Sequence, residues 1–171
     1  TRAPFELDAV DLAPDGLPGY GDRPALLIRL GGLGGLLPER MAALSAYLDA
    51  ADAQTATDDQ AIWQSMASFD WLGEGVALVK TPLTIGQIGG FDRQMREAGA
   101  SRRYSVSGNV AWLGWPGRVT ELHDLLIGLN LSGLVIWGEA GATPRIGVDP
   151  GRGFAQRLKQ TLDPEALFPG L

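Results

Sequence analysis

Apolar residues along this chain fall into short blocks separated by glycine, proline and polar residues, and the spacing within each block indicates its element. Ala25 to Leu30 is a compact apolar run broken only by Arg29, which predicts a strand. A glycine run from Gly31 to Gly35 follows. Pro38 then suits the first turn of a helix reaching about Ala51, with Met41, Leu44, Tyr47 and Leu48 on one face. Thr57, Asp58, Asp59 and Gln60 have the spacing of a capping box, and Ile62, Trp63 and Met66 give the helix from Gln60 to about Phe69 an apolar stripe. Val76 to Thr81 reads as a strand stopped by Pro82. Thr84 and Gln87 repeat the capping-box spacing for a helix to Ala98, with Gly99 as its stop.

The segment from Arg102 to Trp115 alternates like a long strand, with Gly108-Asn109 marking a turn or bulge in its middle. Val119 to Leu131 is a helix with Leu122, Leu125, Leu126 and Leu129 inward, and Leu134 to Trp137 is another strand. Residues 138–153, rich in Gly, Pro and Arg, read as a loop. Residues 1–23 carry prolines and glycines among acidic residues and read as a linker or lead-in. Phe154, Leu158 and Leu162 recur at i, i+4 and i+8 on a short basic helix. Pro164 ends it, leaving a tail with Leu167 and Phe168 as apolar anchors. Alternation of strands with helices, taken alone, would suggest a parallel α/β sheet.

Composition narrows the classes. The 171 residues are 45% hydrophobic, enough for one substantial core and too few for two ordinary domains. A formal charge of -6 opposes nucleic-acid binding, which needs clustered Lys and Arg, and the lone Arg102-Arg103 pair reads as a solvated strand entrance. With no Cys there is no disulfide or thiolate chemistry, which accords with a cytoplasmic setting. A single His, His123, speaks against a His-based metal centre and is expected to be partner-satisfied or at the surface. No apolar run approaches the ~20 residues of a membrane span. The glycines at 31–35 lack the spacing of a phosphate-binding loop and read as a plain connection.

Arg157, Lys159, Asp163, Pro164, Phe168, Pro169 and Gly170 resemble the C-terminal signature of FAD-linked oxidases, a basic helix followed by Asp-Pro and an apolar Pro-Gly ending. The chain lacks the Asn that the family has before Pro-Gly and is one residue shorter between Asp163 and Pro169. Lys80-Thr81-Pro82-Leu83-Thr84, after the tryptophan-bearing helix of Trp63, is similar to the strand ending in Pro-x-Thr of the glycolate oxidase FAD-binding subunits. The resemblance implies a ferredoxin-like α+β sandwich with a mostly antiparallel sheet and helices on one face. It implies a substrate-side cap domain over residues 24–153, with 154–171 returning towards an upstream FAD-binding domain. Further implications are FAD held mainly by that domain, a small 2-hydroxy acid such as glycolate as substrate, and other oxidase subunits as partners. Phe168, Pro169 and Gly170 are the implied cofactor contacts.

Arg29 and Lys80 interrupt apolar strand runs where a solvated base has no packing reason to be, and Tyr104 lies on the long strand. These three are the candidate substrate-binding residues. The two cations are expected on neighbouring strands, holding a carboxylate by charge-assisted hydrogen bonds. A free-standing α+β ligand-binding or regulatory module without flavin is the alternative reading.

Overall fold

A computed structural model describes residues 5–17, 19–50, 52–56, 58–141, 143–165 and 167–168. Seven strands form one sheet: β1 (Ala9–Ala13), β2 (Ala25–Arg29), β3 (Ala77–Pro82), β4 (Ser101–Ser105), β5 (Val110–Trp115), β6 (Ser132–Trp137) and β7 (Arg145–Gly147). Their order is β2-β1-β4-β5-β3-β6-β7, and every neighbouring pair is antiparallel. The helices are α1 (Leu37–Tyr47), α2 (Gln60–Ser68), α3 (Ile85–Glu97), α4 (Val119–Gly128) and α5 (Arg152–Leu162), and a 3-10 turn at Gly34–Leu36 leads into α1.

The middle of the chain, β3-α3-β4-β5-α4-β6, is a ferredoxin-like α+β sandwich. Each helix connects two parallel strands with an antiparallel one between them, so the strands it joins are not neighbours in the sheet. This replaces the parallel sheet that strand–helix alternation alone would suggest. The β1–β2 hairpin extends the sheet beyond β4, and β7 extends it beyond β6.

Strand parity decides which residues meet the helices. Val79 pairs with Leu113 and Val135, Leu113 with Arg102, and Ala111 with Tyr104, so these side chains share one face. Phe91 and Met95 of α3 and Leu122 and Leu126 of α4 close over that face to make the core, with Ile146 of β7 beneath α4. Thr84 starts α3 as its spacing predicts, its backbone N–H donating to Gln87 Oε1 at 2.8 Å. Gly147 sits at φ +74°, and a Cβ there would lie 2.2 Å from the Leu131 carbonyl oxygen. Only glycine lets β7 press against α4, where the Gly147 N–H donates to His123 Nδ1 at 3.0 Å. His123 is thus partner-satisfied.

Three expectations change. Residues 1–23 are not simply a lead-in, because Ala9–Ala13 pair on both sides inside the sheet and the Pro-Gly-rich run after them turns the hairpin. Acidic residues and prolines masked that strand's short alternation. The loop read over 138–153 contains β7, too brief at three residues to show a period. At the start of α2, Thr57 lies outside the described residues; Asp59 is the N-cap and makes no capping bond, its carboxylate turning instead to Arg29 at 2.9 Å.

Truncating Leu126, fully buried between α4 and the sheet, to Ala is expected to cost about 2–5 kcal/mol in urea unfolding. By contrast, Gly89→Ala at an exposed position of α3, where an added Cβ meets nothing within 4 Å, is expected to add about 0.5–1 kcal/mol.

Candidate functional site

The face of the sheet opposite α3 and α4 is covered only in part. Helix α2 lies across it, and Phe69, at φ 60°, ends the helix in the left-handed region and turns the chain back towards the strands. An aromatic residue pays strain to sit there. The turn sets the Phe69 ring edge-on to Trp112 of β5, with centroids 5.0 Å apart, and brings it 6.1 Å from Trp71. Between this layer and strands β1, β4 and β5 lies a cavity of about 300 Å³. Its walls are Trp63, Met66, Ala67, Phe69, Trp71 and Trp112, and its polar residues are Asp11, Arg103 and Ser105.

Arg103 is the electrostatic centre of this cavity. It is 6% exposed, and its guanidinium lies over the Trp71 ring at 5.2 Å. Nη1 donates to the Arg102 carbonyl at 2.9 Å and Nη2 to the Gly16 carbonyl at 3.0 Å, while Nε has no acceptor. Among the described residues no carboxylate lies within salt-bridge distance of it. Burial therefore depresses its affinity for the proton, only partly offset by the charge of Asp15. The neighbouring Trp71 Nε1 is also buried without an acceptor. Each such donor costs about 1–3 kcal/mol unless something accepts from it.

The other two polar groups are held from the strands. Trp112 Nε1 donates to Ser105 Oγ at 3.0 Å, fixing both. Asp11, half-buried on β1, has its carboxyl pushed above the usual range by burial, an effect reduced by the backbone N–H of Val106. Val106 adopts φ 54°, unusual for a β-branched residue, in the β4–β5 turn, whose Ser107 N–H also donates to the Val10 carbonyl.

The sequence-derived site residues do not converge. Arg29 and Lys80 share this face, but β2 and β3 are four strand spacings apart, about 19 Å, so the neighbouring-strand expectation is corrected and no small acid bridges them. Each instead lies over a tryptophan that lines the cavity, Arg29 over Trp63 at 5.8 Å and Lys80 over Trp112 at 5.5 Å. Tyr104 is on the opposite face. It is fully buried in the core, and its hydroxyl donates to Asp92 at 2.9 Å. Burial and the Asp92 charge push its ionisation far above the ordinary tyrosine range, so it does not reach the cavity.

The arginine pair read as a solvated strand entrance is buried on both sides of β4, which is the second correction here. Arg102 donates from Nε and Nη2 to Asp92 of α3, and from Nη1 to Asp15 after β1. Burial alone would raise the Asp92 carboxyl, but hydrogen bonds from Arg102 and Tyr104, with the charges of Arg102 and Arg96, hold it below its usual value. Two like charges adjacent on one strand give a usable signal: alternation sends them to opposite faces, so both are solvated only at a sheet edge.

Of the tail contacts, Pro169 and Gly170 lie outside the described residues. Phe168 is exposed, with its N–H donating to Asp163 at 3.1 Å and its carbonyl accepting from Lys159 Nζ at 2.9 Å. Lys159 and Asp163 pair across one turn of α5, so the signature residues clasp the tail to its own helix. Phe154, Leu158 and Leu162 remain exposed, the body not covering them. Comparison with protein-family models, curated proteins and solved structures finds no match.

Asp92→Asn is expected to lower unfolding stability at pH 7 by about 2 kcal/mol, since it deprives a buried guanidinium of a charged partner. Because the folded carboxyl is held low, that difference should persist above the unfolded value near ~4 and shrink as pH falls through the folded one. Urea titrations at neutral and strongly acidic pH check both parts.

Proposed function

We propose that this chain is the C-terminal, substrate-side domain of an FAD-dependent oxidoreductase acting on a 2-hydroxy acid, of which glycolate is the simplest. The carrying observation is the buried Arg103 on the cavity face, a fixed cation with no carboxylate within salt-bridge distance among the described residues. A carboxylate against it would supply the charged partner that its carbonyl acceptors do not. Support also comes from the C-terminal signature, from the ferredoxin-like order of the strands, and from the uncovered apolar side of α5, which suits contact with another body.

FAD itself does not fit a cradle within the described residues. The glycine loop passes into a single 3-10 turn, and Arg40 Nη1 and Nη2 donate to the Gly31 and Glu6 carbonyls, so the loop presents no ring of free backbone donors backed by a cation. The dinucleotide belongs to the upstream domain in this reading. This chain's share is to bind the acid, orient it by its carboxylate and keep water from it with aromatic walls.

The alternative reading is a flavin-free ligand-binding module that uses the same cavity. Spectroscopy separates the two. The 171-residue chain is expected to be colourless and to bind FAD more weakly than about 1 mM by tryptophan fluorescence titration. The assembly recovered with it from its native cells is expected to carry FAD that bleaches anaerobically on adding a 2-hydroxy acid. An assembly without flavin would leave the ligand-binding module as the function.

A further inference from the structure

The geometry points to an acid with a flat aromatic body, a 2-aryl-2-hydroxy acid rather than a two-carbon one, as the occupant of the cavity beside Arg103. This rests on the reading above for the hydroxyl alone; the carboxylate and the ring are argued from the cavity itself.

Size comes first. At about 300 Å³ the cavity equals roughly ten waters of liquid, far more than a two-carbon acid displaces. Water left beside such an acid would find little to bond, because most of the lining is indole, phenyl, thioether and methyl surface. An apolar body filling that space removes the poorly held water and gains contact with the aromatic lining.

Shape follows from the rings. Trp63, Phe69, Trp71 and Trp112 all line the space, and Phe69 stands at 60° to Trp112 and 59° to Trp71. Inclined rings of this kind offer both faces and edges, which an aromatic ligand meets in stacked or edge-to-face contacts that a saturated ring does not reproduce. Two of the indoles are already polarised, Trp63 by Arg29 and Trp112 by Lys80, so the cations at either side stiffen the walls without entering the cavity.

Polarity then fixes which end goes where. Arg103 lines the cavity with no carboxylate within salt-bridge distance among the described residues, and its guanidinium over the Trp71 ring keeps the two side chains together. A carboxylate laid against the guanidinium supplies the charged partner that the Arg102 and Gly16 carbonyls do not. Asp11 contributes a carboxyl to the same wall, and a second negative group on the ligand would be repelled by its charged form. Monocarboxylates are therefore preferred to dicarboxylates.

The test is a calorimetric and fluorescence titration of the 171-residue chain with mandelate, its neutral amide, the saturated-ring analogue hexahydromandelate, glycolate and phenylmalonate. Mandelate is expected to bind at least tenfold more tightly than each of the others. Trp63→Leu, which removes one aromatic wall and leaves Arg103 in place, is expected to weaken mandelate about tenfold without altering the melting temperature by more than a few degrees. Arg103→Lys should do the same more severely where it folds, and the comparison of acid with amide needs no variant at all. Equal affinity for mandelate and its amide, glycolate binding as tightly as mandelate, or no mandelate binding would each overturn the inference. These results are independent of flavin: an assembly without FAD sinks the oxidoreductase reading and leaves the selectivity standing, whereas acid and amide binding alike does the reverse.

Discussion

Two guanidinium groups buried on opposite sides of one strand set the terms for the rest of this molecule. A strand sends successive side chains to opposite faces, so Arg102 and Arg103 cannot share an environment, and each face of the sheet has to accommodate a cation of its own. On the helix side the solution is electrostatic. Arg102 receives two carboxylates, Asp92 from α3 and Asp15 from the turn after β1, and Asp92 also accepts from Tyr104. That cluster fastens the helix, the central strand and the added hairpin at one point. Breaking it leaves a charge with nowhere to go, which is why such a pair is more costly to halve than to replace entirely. On the other side the solution is incomplete, and the incompleteness is what makes this face the candidate site.

The two faces differ because the chain covers them with different material. Two helices with two buried anchors each lie over the first face, where Phe91, Met95, Leu122 and Leu126 exclude water and leave little room for anything else. The second face has one short helix with no buried residue, followed by a turn in which Phe69 takes a left-handed conformation. Aromatic rings standing at angles to one another do not close to the density of interlocked aliphatic side chains, and the remaining space lies over the strand that carries Arg103. Carbonyl oxygens of Arg102 and Gly16 hold the guanidinium in place through neutral contacts. Orientation without neutralisation leaves its charge available to a ligand.

Most of the fold was legible because helices and long strands announce themselves by period. The strand and helix runs at 25–30, 60–69, 76–81, 84–98 and 119–131 correspond to β2, α2, β3, α3 and α4 within a few residues, and the Gly108 break is the β4–β5 turn. What the pattern lacked was pairing partner. Strand direction is settled by contacts distant in the chain, so periodicity alone favoured a parallel sheet, and the antiparallel one followed from resemblance. β1 and β7 were missed because five residues with one Asp, and three residues with one Arg, carry too few alternations to register. The site was less legible. Arg29 and Lys80 were rightly placed on strands and share a face, yet the distance between them depends on strand order, which interposes β1, β4 and β5. Tyr104 and Arg103 are adjacent in sequence and separated by the thickness of the sheet.

The C-terminal signature shows how a motif can be met locally while its wider role stays elsewhere. Pro164 forces the end of α5, and the carbonyls and N–H groups freed there need partners. Asp163 accepts from the N–H groups of Leu167 and Phe168, and Lys159 bonds both Asp163 and the Phe168 carbonyl, so the tail turns back on the helix it has just left. Lys159 draws the Asp163 carboxyl below its ordinary range, with those backbone donors adding to the effect. The spacing of Lys, Asp-Pro and the residues after it is accounted for by this clasp, with no cofactor invoked. The clasp does not explain the apolar residues beside it. Phe154, Leu158 and Leu162 form a stripe that the body leaves in water, joined by Leu167 and Phe168 on the turned-back tail. A helix end shaped by polar contacts and edged by uncovered apolar ones is organised before it meets anything, so little conformational entropy remains to be lost on contact. Preorganisation of this kind is common to the tail and the cavity: in both, polar groups are oriented within the chain, and the apolar surface beside them is left open.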